Sequence, residues 1–322
     1  MDTIKVIFDT DPGVDDAMAL LFLHYAPQVD LVGITTTFGN GSIDTTTWNA
    51  LYLTERFGID APVASGPATP LVGPAPPPTD FVHGANGLGD VPLPATLGRK
   101  PDPRPAHRFI IDMVRAHPGE ITIVAVGRMT NLALALREDP AIAGLVREIV
   151  IMGGAFGHNG FHGNVTPVAE ANIHGDPLAA DEVFGGTWPI TVVGLDVTQR
   201  TQMTTDYLEA LAKDGGEAGQ FIWDITRFYV AFHHAAGVPN MFVHDSSAVA
   251  FLLDPSLFRT RRGAIRVVTE GLATGQTTLK PDEYNFPPGA WDDRPSHTVC
   301  IDVDPDRLLA LYRDTIVPGG GG

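Results

Sequence analysis

The 322-residue chain, 44% of it hydrophobic, is long enough to bury one large α/β core or two smaller ones. Its 21 Lys and Arg against 38 Asp and Glu give a formal charge of -17, which opposes binding to nucleic acid or an anionic membrane surface. The single Cys300 excludes an internal disulfide framework, and with no signal-peptide pattern at the start and no bilayer-length apolar run, the cytoplasm is the expected compartment.

Short apolar runs alternate with helical patterns over about the first two hundred residues, which predicts an open, mostly parallel central sheet with helices on both faces. A mainly helical C-terminal part and a few extra edge strands follow. Strands are expected at Ile4–Phe8, Leu31–Thr35, Ile121–Ala125, Ile149–Met152 and Ile190–Leu195. Residues 1–317 read as a single α/β domain, and 318–322 as a flexible Gly-rich tail.

The first apolar run ends in Asp9-Thr10-Asp11-Pro12-Gly13-Val14-Asp15-Asp16. Pro12-Gly13 forces a turn, and Val14, Ala17, Met18 and Leu21 have the spacing of a helix's core face. The acids therefore gather where a strand stops and a helix starts. Carboxylates crowded in a half-buried site repel and raise one another's pKa, and a helix N-terminus offsets only roughly 0.3–1 kcal/mol per charge. A divalent cation offsets more, and with only oxygen donors nearby it would be a hard one, Ca²⁺ or Mg²⁺. Neighbours on a helix point about 100° apart, so one of Asp15 and Asp16 is expected on metal and the other on substrate or water. The alternative is that Asp15 and Asp16 only cap a helix while Asp9 and Asp11 end a strand.

Further along, Gly39-Asn40-Gly41-Ser42 suits a turn into a helix capped by Ser42 or Asp44. Residues 66–105 are rich in Pro and Gly and read as a long surface connection of the kind that forms lids. Within it His83 is either a substrate contact or a solvated loop histidine. After the 121–125 strand, Gly127 leaves the Val126 carbonyl without a ladder partner and free to ligate a metal, with Thr130 placed to cap the next helix. Met152-Gly153-Gly154 leads to a loop with His158 and His162, and then Asn164, Glu170 and Asn172 offer hydrogen bonds suited to a hydroxylated ligand. His158, His162 and His174 are spread across a loop with no cysteine, a poor zinc pattern.

Helices are expected at Tyr207–Ala212 and Ala218–His234, where Phe228, Phe232 and His233 either line a pocket for a planar base or pack the core. His244-Asp245 again sets an acid at the mouth of an apolar helix, with N-capping as the plain alternative. Strands at Ala264–Thr269, Gln276–Leu279 and Val299–Val303 and a helix from Pro305 complete the pattern.

Five segments stand together in order: Asp9–Asp16, Val126-Gly-Arg-Met-Thr-Asn131, Met152-Gly-Gly154, Asn164…Ala169-Glu-Ala-Asn172 and His244-Asp245. The set resembles the inosine-uridine-preferring nucleoside hydrolase family over nearly the whole chain. That resemblance implies Ca²⁺ held by Asp11, Asp16, Asp245 and the main-chain carbonyl of Val126, with Asp15 as the general base that activates a water. It also implies that Asn40, Asn164, Glu170 and Asn172 hold the ribose of a small-molecule ribonucleoside beside Met152, and that the chain is a homodimer or homotetramer. Carboxylates suit the oxocarbenium character of such a cleavage, and His244 is the candidate acid for the leaving base because imidazole titrates near neutral pH. Ala171, Ser246-Ser247 and Gly127-Arg128-Met129 depart from the usual family residues. A histidine rather than a tryptophan at 244 favours a pyrimidine-preferring or broad enzyme. Two other readings compete: a Mg²⁺-dependent phosphohydrolase of haloacid dehalogenase type, with Asp9 as nucleophile, and a non-catalytic Ca²⁺ and nucleoside binder.

Overall fold

The opening apolar run becomes β1 (Ile4–Thr10), the strand from which the acidic loop is hung. In a strand alternate side chains face opposite ways. Val6 and Phe8 enter one hydrophobic core and Ile7 the other, which explains why the run is apolar throughout. The computed structural model describes residues 3–317; the tail expected at 318–322 lies outside the described residues.

The other strands are β2 (Val29–Thr36), β3 (Val63–Ser65), β4 (Ile121–Ala125), β5 (Glu148–Met152), β6 (Ile190–Val193), β7 (Gln202–Met203), β8 (Met241–Phe242), β9 (Phe258–Val267), β10 (Thr277–Pro281) and β11 (Ser296–Val303). Nine of them form one sheet in the order β10-β9-β11-β6-β5-β4-β1-β2-β3. It is parallel from β6 to β3, and only β9 runs antiparallel to its neighbours β10 and β11. The mostly parallel α/β architecture with extra edge strands is the expected one. β3 was not anticipated, since three residues are too few to show a pattern.

β1 pairs with both β2 and β4. The chain winds outward from β1 through β2 and β3, then crosses back to β4, so the loops after β1 and β4 leave in opposite directions. Open parallel sheets bind ligands at such a switch point. Helix Val14–Tyr25 starts directly after the β1 loop, and helix Asp245–Leu253 packs against it. β7 and β8 pair to carry Val243 into His244 and Asp245.

Some local expectations change. Ser42, not Asp44, caps helix Ile43–Arg56 by accepting the Thr45 N–H at 3.2 Å. Thr130 does not cap its helix but donates to Asp176 Oδ2 at 2.8 Å. The 66–105 connection contains helix Asp80–His83, and it is pinned where the Asn49 amide donates to the Asn86 carbonyl at 2.9 Å. No described helix is long and apolar enough to cross a membrane.

Candidate active site

Asp15, Asp16 and Asp245, all buried, each place a carboxylate oxygen within 4.8 Å of the others. The two helix N-termini that carry them therefore meet. Asp16 is held hardest: Oδ2 accepts from the Gly13 N–H at 3.0 Å and the Asn40 amide at 2.8 Å, and Oδ1 from the Asp11 N–H at 3.2 Å and the Thr10 hydroxyl. It thus also caps its own helix, so the capping reading describes part of what this residue does. Asp11 Oδ2 accepts the Asn40 N–H at 2.8 Å. Asn40 is more than a turn residue, because its backbone and side chain tie Asp11 to Asp16.

Asp15 has different surroundings, as the helical offset requires. Its Oδ2 accepts a 3.4 Å hydrogen bond from the Tyr229 hydroxyl, whereas Oδ1 is buried with no hydrogen-bond partner. Burial pushes the Asp15 carboxyl up to about 6, and burial with the neighbouring acids holds Asp11 and Asp245 well above the usual carboxylate range. Asp9 stands apart: Oδ1 accepts from Thr35 and from the Asn131 amide at 2.7 Å, on the core side of β1. A phosphohydrolase nucleophile would have to face the cleft, so that competing reading fails here.

Four mutually repelling buried carboxylates, with Asp15 Oδ1 fully buried and without a hydrogen bond, fit a hard divalent cation. The Val126 carbonyl accepts the Asn172 amide at 2.6 Å, which occupies one of its two lone pairs and leaves the other for a ligand. His158, His162 and His174 join no metal-competent cluster among the described residues.

Above the acids lies a cavity of about 260 Å³, near the small end of the roughly 300–1,000 Å³ usual for small-molecule sites. Asp15, Asn40, Val126, Met152 and Asp245 line its floor; Asn164, Glu170, Asn172, His83 and His244 also reach it. Glu170 is fixed by three backbone N–H groups: Gly154 at 3.0 Å, Asn172 at 2.9 Å and Ile173 at 3.1 Å. Asn164 sits on the exposed rim and accepts the Ala171 N–H at 3.0 Å.

His83 is not a solvated loop residue. It is buried, its Nδ1 accepts the Val14 N–H at 3.2 Å, and its ring stacks on Tyr229 at 5.4 Å. Burial lowers its pKa to about 4. His244 pairs Nδ1 with the Thr198 hydroxyl at 2.8 Å, and burial pushes it down to about 3. The expected near-neutral titration is thus absent; His244 meets the cavity as a neutral imidazole. Of the three aromatic candidates, Phe232 and His233 line the cavity and Phe228 does not. Tyr229 takes its place, on the face shared by positions i, i+3 and i+4. Gln199 and Phe242 also line the cavity; neither belonged to a sequence pattern.

The profile of the family described as inosine-uridine preferring nucleoside hydrolase matches residues 6–310. A probable uridine nucleosidase 1 from Oryza sativa is 40% identical over 97% of this chain and 96% of its own length. A plant nucleoside hydrolase structure superposes with a TM-score of 0.92 at 39% identity, covering 98% of this chain and 99% of that one. A purine-preferring ribonucleoside hydrolase from Gardnerella vaginalis superposes with a TM-score of 0.88 at 34% identity, covering 97% and 98%.

Proposed function

The chain belongs to the inosine-uridine preferring nucleoside hydrolase family, and we propose that it hydrolyses the N-glycosidic bond of ribonucleosides to free base and ribose, with Ca²⁺ as its cation. The observation that carries this reading is the bare Oδ1 of Asp15, buried on the floor of a nucleoside-sized cavity beside two other carboxylates.

Asp11, Asp16, Asp245 and the Val126 carbonyl would hold the cation, which when bound acidifies a water and grips vicinal hydroxyls. Asp15, its carboxyl pushed up to about 6 by burial, is still mainly ionised at pH 7, so Oδ1 can take a proton from the attacking water. Tyr229 steadies Oδ2. As the bond to the base lengthens, positive charge grows on the ribose, and the Glu170 carboxylate, already fixed by three amides, faces it without reorganising. His244 donates a hydrogen bond to the departing base as a neutral imidazole, and the base takes its proton from solvent, which balances the one that Asp15 accepts from the attacking water. Phe232 and Phe242 give the base a flat apolar surround.

The imidazole at 244 and the rice relative's name support a pyrimidine-preferring or broad specificity. The resemblance carries with it a homodimer or homotetramer, which light scattering reads directly. The test of the activity is chromatography of uridine, cytidine, inosine and adenosine after incubation with and without EGTA. Free base and ribose should appear, uridine among the fastest, and EGTA should abolish release until Ca²⁺ is restored. Ribonucleosides that stay intact in Ca²⁺ would refute the reading and leave a binding protein.

A further inference from the structure

Arg128 stands in the Gly127-Arg128-Met129 departure from the family's usual residues, and it is not on the surface. It is 6% exposed. Its Nη1 donates to the Phe38 carbonyl at 2.9 Å and lies 3.5 Å from Asp11 Oδ2, and its guanidinium covers the Phe38 ring at 5.0 Å. Its Nε has no partner. The backbone is cleared for it on two sides: a Cβ on Gly175 would fall 1.8 Å from Nε, and one on Gly39 would fall 1.9 Å from Nη1 and 1.8 Å from Asp11 Oδ2.

A buried, incompletely bonded arginine is expensive, and the Phe38 carbonyl and ring offset only part of that cost. Compensation comes from the acids. Asp11, Glu170, Asp176 and Asp16 all act on it, and by holding Phe38 it also fixes the turn whose Asn40 joins Asp11 to Asp16. We propose that Arg128 is a built-in counter-cation of the acidic nest: it keeps Asp11 and the Asn40 turn assembled without calcium, and it weakens calcium binding as a consequence. Like charges compete for the same carboxylates, so whatever factor Arg128 contributes to the metal-free state over the loaded one must reappear as a weaker calcium affinity. This rests on the calcium reading above.

The experiment is calcium titration by calorimetry of the full chain and its Arg128→Met and Arg128→Lys variants, with melting curves of each in EGTA and in saturating Ca²⁺. Arg128→Met should bind calcium about tenfold more tightly, within the usual range of such couplings. It should also lose more melting temperature in EGTA than in calcium. Arg128→Lys, which keeps the charge, should return both readings toward the parent. An Arg128→Met affinity that is unchanged or weaker, or equal melting losses in the two conditions, would show packing alone and overturn the proposal. If Arg128→Met folds in neither condition, Arg128→Lys decides: parent-like values support the counter-cation, and a failure like that of Met refutes it. A parent chain that binds no calcium in the same titration sinks the calcium reading, and Arg128's role with it; a parent that binds while Arg128→Met matches it sinks only the latter.

Discussion

Replacing Asp15 by asparagine removes one proton-accepting oxygen and changes little else, because Oδ1 has no hydrogen bond to lose and Oδ2 receives only a 3.4 Å contact from Tyr229. The side chain keeps its size, so the cavity and the neighbouring Asp16 network should persist. Loss of a positioned general base lowers turnover by roughly 10²–10⁴-fold, or about 2.7–5.5 kcal/mol of barrier. The pH dependence supplies a second reading. With a pKa of about 6 in the metal-free site, Asp15 is protonated below that value, so uridine hydrolysis falls about tenfold per pH unit on the acid side. A bound cation favours the carboxylate, which places the limb of the loaded enzyme at or below pH 6. In Asp15→Asn that limb should vanish from the residual rate. The assay is steady-state uridine hydrolysis from pH 4.5 to 8 in saturating calcium, with calcium binding measured on the same samples. A variant within tenfold of the parent rate, or one that keeps the same acid limb, would refute Asp15 as the base. A variant that loses calcium binding altogether would show Asp15 to be a ligand instead.

Tyr229→Phe removes the hydroxyl on Asp15 Oδ2, which favours the ionised carboxylate, so the acid limb should move to higher pH with a modest, several-fold loss of kcat and little change in calcium affinity; an unmoved limb would separate Tyr229 from the base. In EGTA, Asp11, Asp15, Asp16, Asp245 and Glu170 all have raised folded pKa values, so their contribution to stability is present at low pH and lost as pH rises through those values. The melting temperature should therefore rise as pH falls through those values, about 6 for Asp15, while His83 and His244, with depressed pKa values, resist protonation below the ordinary imidazole range and oppose the gain. Saturating Ca²⁺ should flatten the slope, and a slope of the opposite sign in EGTA would show that these acids do not repel one another.

Much of the fold was legible because a sheet covered on both faces writes itself as uninterrupted apolar runs, and the acids after β1 break that rule too sharply to be filler. Asp9 was harder to separate from its neighbours. The strand was expected to stop at Phe8, whereas β1 runs to Thr10, which turns Asp9 to the Ile7 side of the sheet and into the core. Tyr229 was hidden by a helix whose aromatic residues could equally be packing, and only the i, i+3, i+4 spacing with Phe232 and His233 distinguishes the cavity face from that of Phe228. His83 could be read only as either a substrate contact or a solvated loop residue, and Arg128 only as part of a departure from the family's usual residues. Each is defined by a partner far along the chain: Val14 for the histidine, and Phe38 and Asp11 for the arginine.

The acids themselves are carried by the least ambiguous part of the sequence. Val14–Leu23 is buried without interruption, and so is Asp245–Leu252. Each fully buried Leu or Phe in these helices contributes about 1.5–3 kcal/mol. Several such residues per helix can hold carboxylates together against a repulsion that would scatter them on a surface. Apolar packing thus fixes where the charges meet before any cation arrives, and a cation bound among them would relieve a cost the fold has already met. Removing calcium should accordingly silence the chemistry while leaving the sheet and both helices intact.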